Sequence, residues 1–214
     1  MKLEAQNLQC TRGERELFSN LSFELESNQL MMLEGRNGSG KTTLLRTLCG
    51  LYLADEGEVL WNGESIKKQD EAFRRELLYL GHSNGIKVDL TSLENLRINC
   101  LLADEPVSDD KLIAALETIG LFAFEDFPCS QLSQGQKRRV ALARLLISQA
   151  KLWILDEPFV ALDVDAVELL QSIIATHVDS GGMVILTTHQ EVPLTTGEIK
   201  RLSLNELSDV VTHA

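Results

Sequence analysis

From Leu3 to Leu25 the chain alternates apolar and polar positions, with Leu21, Phe23 and Leu25 on one face, around a polar turn at Arg12-Gly13-Glu14. Strand side chains point to opposite faces with period two, so this pattern predicts an antiparallel β layer with one buried side. Leu30-Met31-Met32-Leu33 is instead apolar at every position, as a strand covered on both faces must be. The chain then breaks into a loop with three glycines and restarts at Lys41-Thr42-Thr43-Leu44-Leu45, a helix predicted to reach Cys49 and stop at Gly50. Gly57 to Trp61 runs into Asn62-Gly63, a hairpin signal, and Leu77 to Gly81 predicts another short buried strand.

From about His82 to Gln131 strand signals give way to helical ones. Thr91-x-x-Glu94 is a capping box opening a helix with Leu93, Leu96, Leu101 and Leu102 on its apolar side. After a polar break at Asp104-Glu105-Pro106, Leu112, Ala115 or Leu116, and Ile119 recur at helical spacing up to Gly120. Leu132-Ser133-Gln134-Gly135-Gln136 opens a long helix predicted to run through Ala150, with Ser133 and Gln136 in capping-box register. Leu152 to Leu155 predicts a buried strand ending in Asp156-Glu157-Pro158. A helix follows Ala161-Leu162-Asp163, the chain turns at Gly181-Gly182, and Met183 to Thr187 is the last core strand, running to His189. The tail past Gly197 is short and predicts no further module. The expected fold is α/β: one domain with a mixed core sheet, an N-terminal antiparallel β layer and a helical insert. Its core is 1–82 and 132–214, and the helical subdomain is about 83–131.

Composition narrows the function. At 214 residues the chain is long enough for a sizeable core, and no run approaches the ~18 apolar residues of a membrane span. The start Met1-Lys2-Leu3-Glu4 has no signal-peptide pattern, so a soluble cytoplasmic protein is expected. A net charge of -12 argues against broad nucleic-acid binding, which needs a basic face. Cys10, Cys49, Cys100 and Cys129 are scattered without C-x-x-C or Cys/His pairing, as buried reduced thiols would be. The basic run Lys137-Arg138-Arg139 reads as a solvated helix face that pairs with the many acids, and Phe18, Met31, Met32 and Trp153 read as core.

The candidate chemistry lies in the loop and the acid pair. Gly35, Gly40, Lys41 and Thr42 satisfy G-x-x-x-x-G-K-[ST] between a strand and a helix. In that setting the backbone of Gly35, Arg36, Asn37, Gly38, Ser39 and Gly40, with Thr43 just inside the helix, wraps a phosphate with N–H groups at a positive helix end. Lys41 is suited to reach the β- and γ-phosphates, and Thr42 to ligate magnesium. Asp156, at the carboxyl end of a buried strand, is placed to hold the same metal, and Glu157 to polarise an attacking water. A nucleoside triphosphate with Mg2+ is the expected ligand, with Lys41 and Glu157 as the catalytic residues this chemistry points to.

The ordered motifs GRNGSGKT, LSQGQ, LWILDEP, ALD and TTHQ resemble the ATP-binding cassette (ABC) ATPases over nearly the whole chain, and LSQGQ is the motif other phosphate-loop families lack. The resemblance implies that Ser133, Gly135 and Gln136 contact the γ-phosphate held by a second copy, so that a homodimer encloses two ATP molecules in composite sites. It implies an Asp163 facing that interface and a His189 contacting the γ-phosphate. His82 stands where many relatives carry a metal- or water-contacting glutamine, and Arg12 where an adenine-stacking aromatic is expected. Gln134 replaces a common glycine, and Val160 a common serine. The stretches LGHSNGIKVDLTSLENL, RRVALARLLIS, LWILDEPF and GGMVILTTHQ resemble more narrowly the ATPase subunits of the haem exporters of cytochrome c maturation. That likeness implies integral membrane partners at the cytoplasmic face of the bacterial inner membrane. It assigns haem to those partners, so no direct haem binding by His82, His177 or the cysteines is expected. The alternatives are another ABC exporter, or a non-transport cassette acting on nucleic acid or ribosomes. Only about ninety residues separate Lys41 from Leu132, with no sustained heptads, which disfavours the latter.

Overall fold

A computed structural model describes residues 1–189, 193–194 and 196–204. The chain begins with β1 (Lys2–Arg12), β2 (Arg15–Glu26) and β3 (Gln29–Glu34), followed by α1 (Lys41–Leu48). Then come β4 (Glu56–Trp61), β5 (Glu64–Ser65), α2 (Asp70–Arg75), β6 (Leu77–Leu80), α3 (Ser92–Leu102) and α4 (Asp109–Thr118). A 3₁₀ turn at Cys129–Gln131 leads into α5 (Gln134–Ile147), β7 (Leu152–Leu155), α6 (Val164–Asp179), β8 (Met183–Thr187) and β9 (Glu198–Ser203).

Among the described residues these strands form two sheets. An antiparallel one has the order β2-β1-β4-β5, and a parallel one the order β6-β7-β8-β3-β9. Asn62 and Gly63 both adopt positive φ (51° and 84°) and turn β4 into β5, as a primed two-residue hairpin requires.

The uniform apolar runs are explained by two cores on opposite faces of the parallel sheet. Leu30, Met32, Trp153, Leu155, Val184 and Leu186 enter the core shared with α5, α6 and the helical insert. Their neighbours Met31, Leu33, Leu152, Ile154, Met183 and Ile185 enter the other, with Leu44 and Leu45 of α1 and the antiparallel layer. Because the sheet is parallel, the ends of β3, β6, β7 and β8 open on one side, and the functional loops follow there.

Several expectations are corrected. Leu101 and Leu102 are exposed, because α3 meets the core through Leu93, Leu96 and Cys100. The long helix ends at Ile147, where Ser148 turns to extended backbone, so Ala150 lies beyond it. The short helix α2 and the strand β9 were unanticipated. β9 pairs in parallel with β3 at the sheet edge, where a polar sequence suffices, and Arg201 forms an ion pair with Glu34. Gln190 of the TTHQ motif and the tail after Leu204 lie outside the described residues. All four cysteines are buried and free, and burial pushes their thiols up, away from reactivity.

His177 of α6 lies flat on Trp153, with ring centroids 3.6 Å apart and planes within 7°. Burial lowers its pKa from 6.5 to about 4, against a bond to the Lys151 carbonyl. The folded state therefore holds His177 neutral while the unfolded chain protonates it below 6.5. The stability is complete above pH 6.5 and is lost as pH falls toward 4, by at most about 3 kcal/mol. Urea titrations of wild type and His177→Phe at pH 7.5 and 4.5 should show a smaller loss in the variant, which keeps the stack without the titration.

Candidate functional site

The loop between β3 and α1 depends on two glycines. Gly40 is the N-cap of α1 at φ 102°, and a Cβ there would come within 3.1 Å of Leu17. A Cβ on Gly35 would lie 2.5 Å from the Ser39 hydroxyl. Only residues without a side chain let the loop double back onto β2 and itself at these points. Lys41 enters the helix and turns its ammonium back, donating to the carbonyls of Gly35 (2.6 Å) and Arg36 (3.2 Å). Burial pulls its pKa down, against the attraction of Glu157 and Asp156. A cation and the positive end of a helix thus converge where an anion would lie.

Asp156, 2% exposed, stands at the end of β7 and is bonded on both carboxylate oxygens. Oδ2 accepts from the Thr42 hydroxyl (2.8 Å) and Oδ1 from the Thr187 hydroxyl (2.8 Å). Thr187 also accepts the Glu157 N–H (2.9 Å), so one hydroxyl at the end of β8 fixes both members of the acid pair. Glu157 has φ 51°, a left-handed backbone that costs a non-glycine residue about 1–3 kcal/mol. Its carboxylate lies 3.2 Å from His189 Nε2. Ammonium, hydroxyl, carboxylate pair and imidazole are thereby gathered at the carboxyl ends of three parallel strands.

The oxygens of Thr42 and Asp156 suit a hard divalent cation such as Mg2+. Among the described residues no group of three or more acidic, His or Cys side chains could hold a metal alone.

The remaining expected residues stand outside this bonded cluster. Arg12 is exposed at the end of β1, paired across the hairpin with Arg15. Arg15, which sequence reasoning passed over, brings its Nη1 within 3.9 Å of the Cβ position of Gly38. His82 is exposed on the loop after β6. Ser133 and Gln136 form the anticipated capping box at the start of α5, with Gln136 N–H donating to Ser133 Oγ (3.2 Å) and Ser133 N–H to Gln136 Oε1 (2.9 Å). Gly135 lies against the Ala161 carbonyl, which a Cβ would approach to 3.1 Å. Asp163 caps α6 through the Ala166 N–H (3.0 Å) and pairs with Arg139 (2.6 and 2.8 Å) of its own chain.

The basic run is not one solvated face. Arg139 meets an acid as expected, but Arg138 is 4% exposed and all its acceptors are neutral. Nε donates to Pro158 O (3.3 Å), Nη1 to Gly81 O (3.3 Å) and Asn84 Oδ1 (3.1 Å), and Nη2 to Asp156 O (3.4 Å) and Glu157 O (2.8 Å). Burial lowers its pKa, opposed by the charges of Asp156 and Glu157. Arg138 shares its helix face with Ala141, Leu142 and Leu145, all buried. A charge at a position of core spacing was the only signal for it in the sequence.

A family model described as ABC transporter matches residues 18–160. The cytochrome c biogenesis ATP-binding export protein CcmA of Dechloromonas aromatica (strain RCB) is 56% identical over 202 residues, covering 94% of this chain and 99% of that protein. The protein of the same name from Nitrosomonas europaea is 55% identical over 203 residues, 95% of each chain. Among solved structures, a putative ABC transporter ATP-binding protein of Pyrococcus furiosus superposes with TM-score 0.83 at 26% identity, covering 97% of this chain and 99% of its own. A dimeric ATP-binding cassette bound to ADP and Pi gives TM-score 0.82 at 23% identity over 94% of each chain, a likeness of fold.

The Thr187 hydroxyl gives a direct test of the site's cohesion. Thr187→Val keeps the shape but strands the Asp156 carboxylate oxygen and the Glu157 N–H, and should cost about 1–3 kcal/mol in urea unfolding. Thr187→Ser removes one methyl and should cost about 0.8 kcal/mol.

Proposed function

The chain belongs to the ABC transporter family and hydrolyses ATP, and from that premise we propose that its hydrolysis powers haem export for c-type cytochrome maturation. The observation that carries the catalytic half is the bonded run Thr42–Asp156–Thr187–Glu157, closed by His189 beside the Lys41 loop. The haem-export half rests on identity above one half to relatives named for cytochrome c biogenesis export, over nearly the full length of both chains.

In this reading the backbone of Gly35, Arg36, Asn37, Gly38, Ser39 and Gly40 wraps the phosphates, with Thr43 at the foot of the helix. Lys41 leaves the Gly35 and Arg36 carbonyls to neutralise the β- and γ-phosphates. Thr42 and Asp156 hold Mg2+, which supplies charge neutralisation on the phosphate oxygens when bound. Glu157 accepts a proton from the attacking water, and His189, 3.2 Å from its carboxylate, orients that carboxylate and meets the γ-phosphate. Arg12 stacks on the base, and His82 takes the place of the glutamine of many relatives near the metal.

Ser133, Gly135 and Gln136 stand at the positive end of a fourteen-residue helix, where an anion is favoured. We assign them to the γ-phosphate of a second copy, with Asp163 beside that interface, so that the working unit is a homodimer. Among the described residues no helix is long and apolar enough to cross a membrane. In this reading the dimer is a peripheral subunit at the cytoplasmic face of the inner membrane, with the helical segment of about 83–131 passing its motion to integral membrane subunits. The transported haem stays with those subunits, and nucleic acid has no part in the cycle.

Lys41→Ala should abolish ATP hydrolysis, measured as phosphate release, and an unchanged rate would refute the loop assignment. Glu157→Gln should bind ATP and accumulate as a dimer on gel filtration with ATP. In a bacterium lacking its own copy, the wild-type chain should restore haem-stained c-type cytochromes and Glu157→Gln should not. Normal cytochromes without the gene would remove the haem-export reading.

A further inference from the structure

Arg138 joins three segments that the sequence keeps far apart. It projects from the second turn of α5, immediately after the Ser133–Gln136 cap. Its guanidinium holds the carbonyls of Asp156, Glu157 and Pro158 on one side, and Gly81 and Asn84 on the other. Guanidinium carries five N–H donors in a rigid fork, and here they meet five acceptors in three directions. A lysine ammonium, with three donors at one point, cannot span them.

The shortest of these bonds, 2.8 Å, falls on the carbonyl of Glu157, whose backbone is in the left-handed region. The N–H of the same residue is held by Thr187. Glu157 is thus pinned from both ends of its peptide frame, and Arg138 supplies one of the two pins. On the far side, Asn84 belongs to the loop that carries His82, and three residues later that loop is clamped again. Asn95 of α3 accepts from the Lys87 N–H (2.8 Å) and donates to the carbonyls of Lys87 (2.9 Å), Leu90 (3.3 Å) and Thr91 (2.9 Å). A continuous set of bonds and short chain segments therefore runs from α3 through the loop and Arg138 to the backbone of Glu157.

We propose that Arg138 is a positioning residue for ATP hydrolysis, fixing the backbone of Glu157 and tying it to the Gly81–Asn84 loop, so that turnover depends on where that loop sits. The inference rests on the assignment of Glu157 as the group that activates water. A guanidinium that only filled space at a strand end would affect stability and the fraction of active protein, not the rate of the active molecules.

The test uses the purified full chain with ATP and magnesium chloride, with active sites counted by bound nucleotide. Arg138→Lys should lower kcat roughly 10- to 100-fold while leaving KM for ATP within about twofold, since misplacing a catalytic group by an ångström has that effect without removing phosphate contacts. Asn84→Ala, at a partly exposed loop position, should lower kcat by a smaller factor with the same KM. In the Glu157→Gln background, Arg138→Lys should lower the residual rate no further, because the group it positions is already gone. A wild-type kcat in folded Arg138→Lys, a wild-type kcat in Asn84→Ala, or multiplicative losses in the double variant would each overturn the proposal. If Glu157→Gln itself kept full activity, the catalytic assignment would fail instead, whatever Arg138→Lys did.

Discussion

Burying the Asp156 carboxylate is the constraint from which the arrangement of the site follows. An isolated carboxylate removed from water is costly, and here hydroxyls from two other elements reach it. Thr42 comes from the first turn of α1 and Thr187 from the end of β8. Satisfying one side chain therefore fixes the phosphate-loop helix against two strands of the parallel sheet. It also places the next residue, because Thr187 takes the N–H of Glu157 with its remaining capacity. Each hydroxyl bond is modest alone, but losing any one leaves a buried polar atom unpaired, so the three elements hold their geometry jointly.

The parallel sheet makes this convergence possible. Its central strands alternate between two cores, so their backbones are fixed from both faces, and their carboxyl ends form a rigid rim. Loops on such a rim can be irregular without losing position. Gly35, Gly40 and the left-handed Glu157 all lie within a few residues of a strand or helix end that is fully buried.

Much of this was legible in the sequence because the signals are local. The glycine loop before α1, the Asn62-Gly63 hairpin, both capping boxes and the uniform apolar strands each depend on a few neighbouring residues, and each forms as expected. The unread features depend on pairing at a distance. β9 looks like a polar tail because an edge strand needs little apolar surface once β3 supplies its partner. Leu101 and Leu102 match helical spacing, yet α3 turns them outward, since periodicity gives a face but not its partner. Thr187 appeared only as part of a motif, and its double role depends on an aspartate thirty-one residues earlier.

The helix α5 divides its polar residues by direction. Ser133 and Gln136 satisfy each other at its start, which closes the helix end with its own side chains. Arg139 turns to the Asp163 carboxylate, and Arg138 turns inward to five neutral oxygens. The charge on Arg138 is thus not neutralised by a salt bridge but spread over carbonyls, including those next to the two acids whose fields favour it. A guanidinium in that position loses stability if any of the three segments shifts, because no single carboxylate would remain to hold it. The same residue that makes the basic run look like surface is the one that obliges α5, the acid pair and the His82 loop to move together.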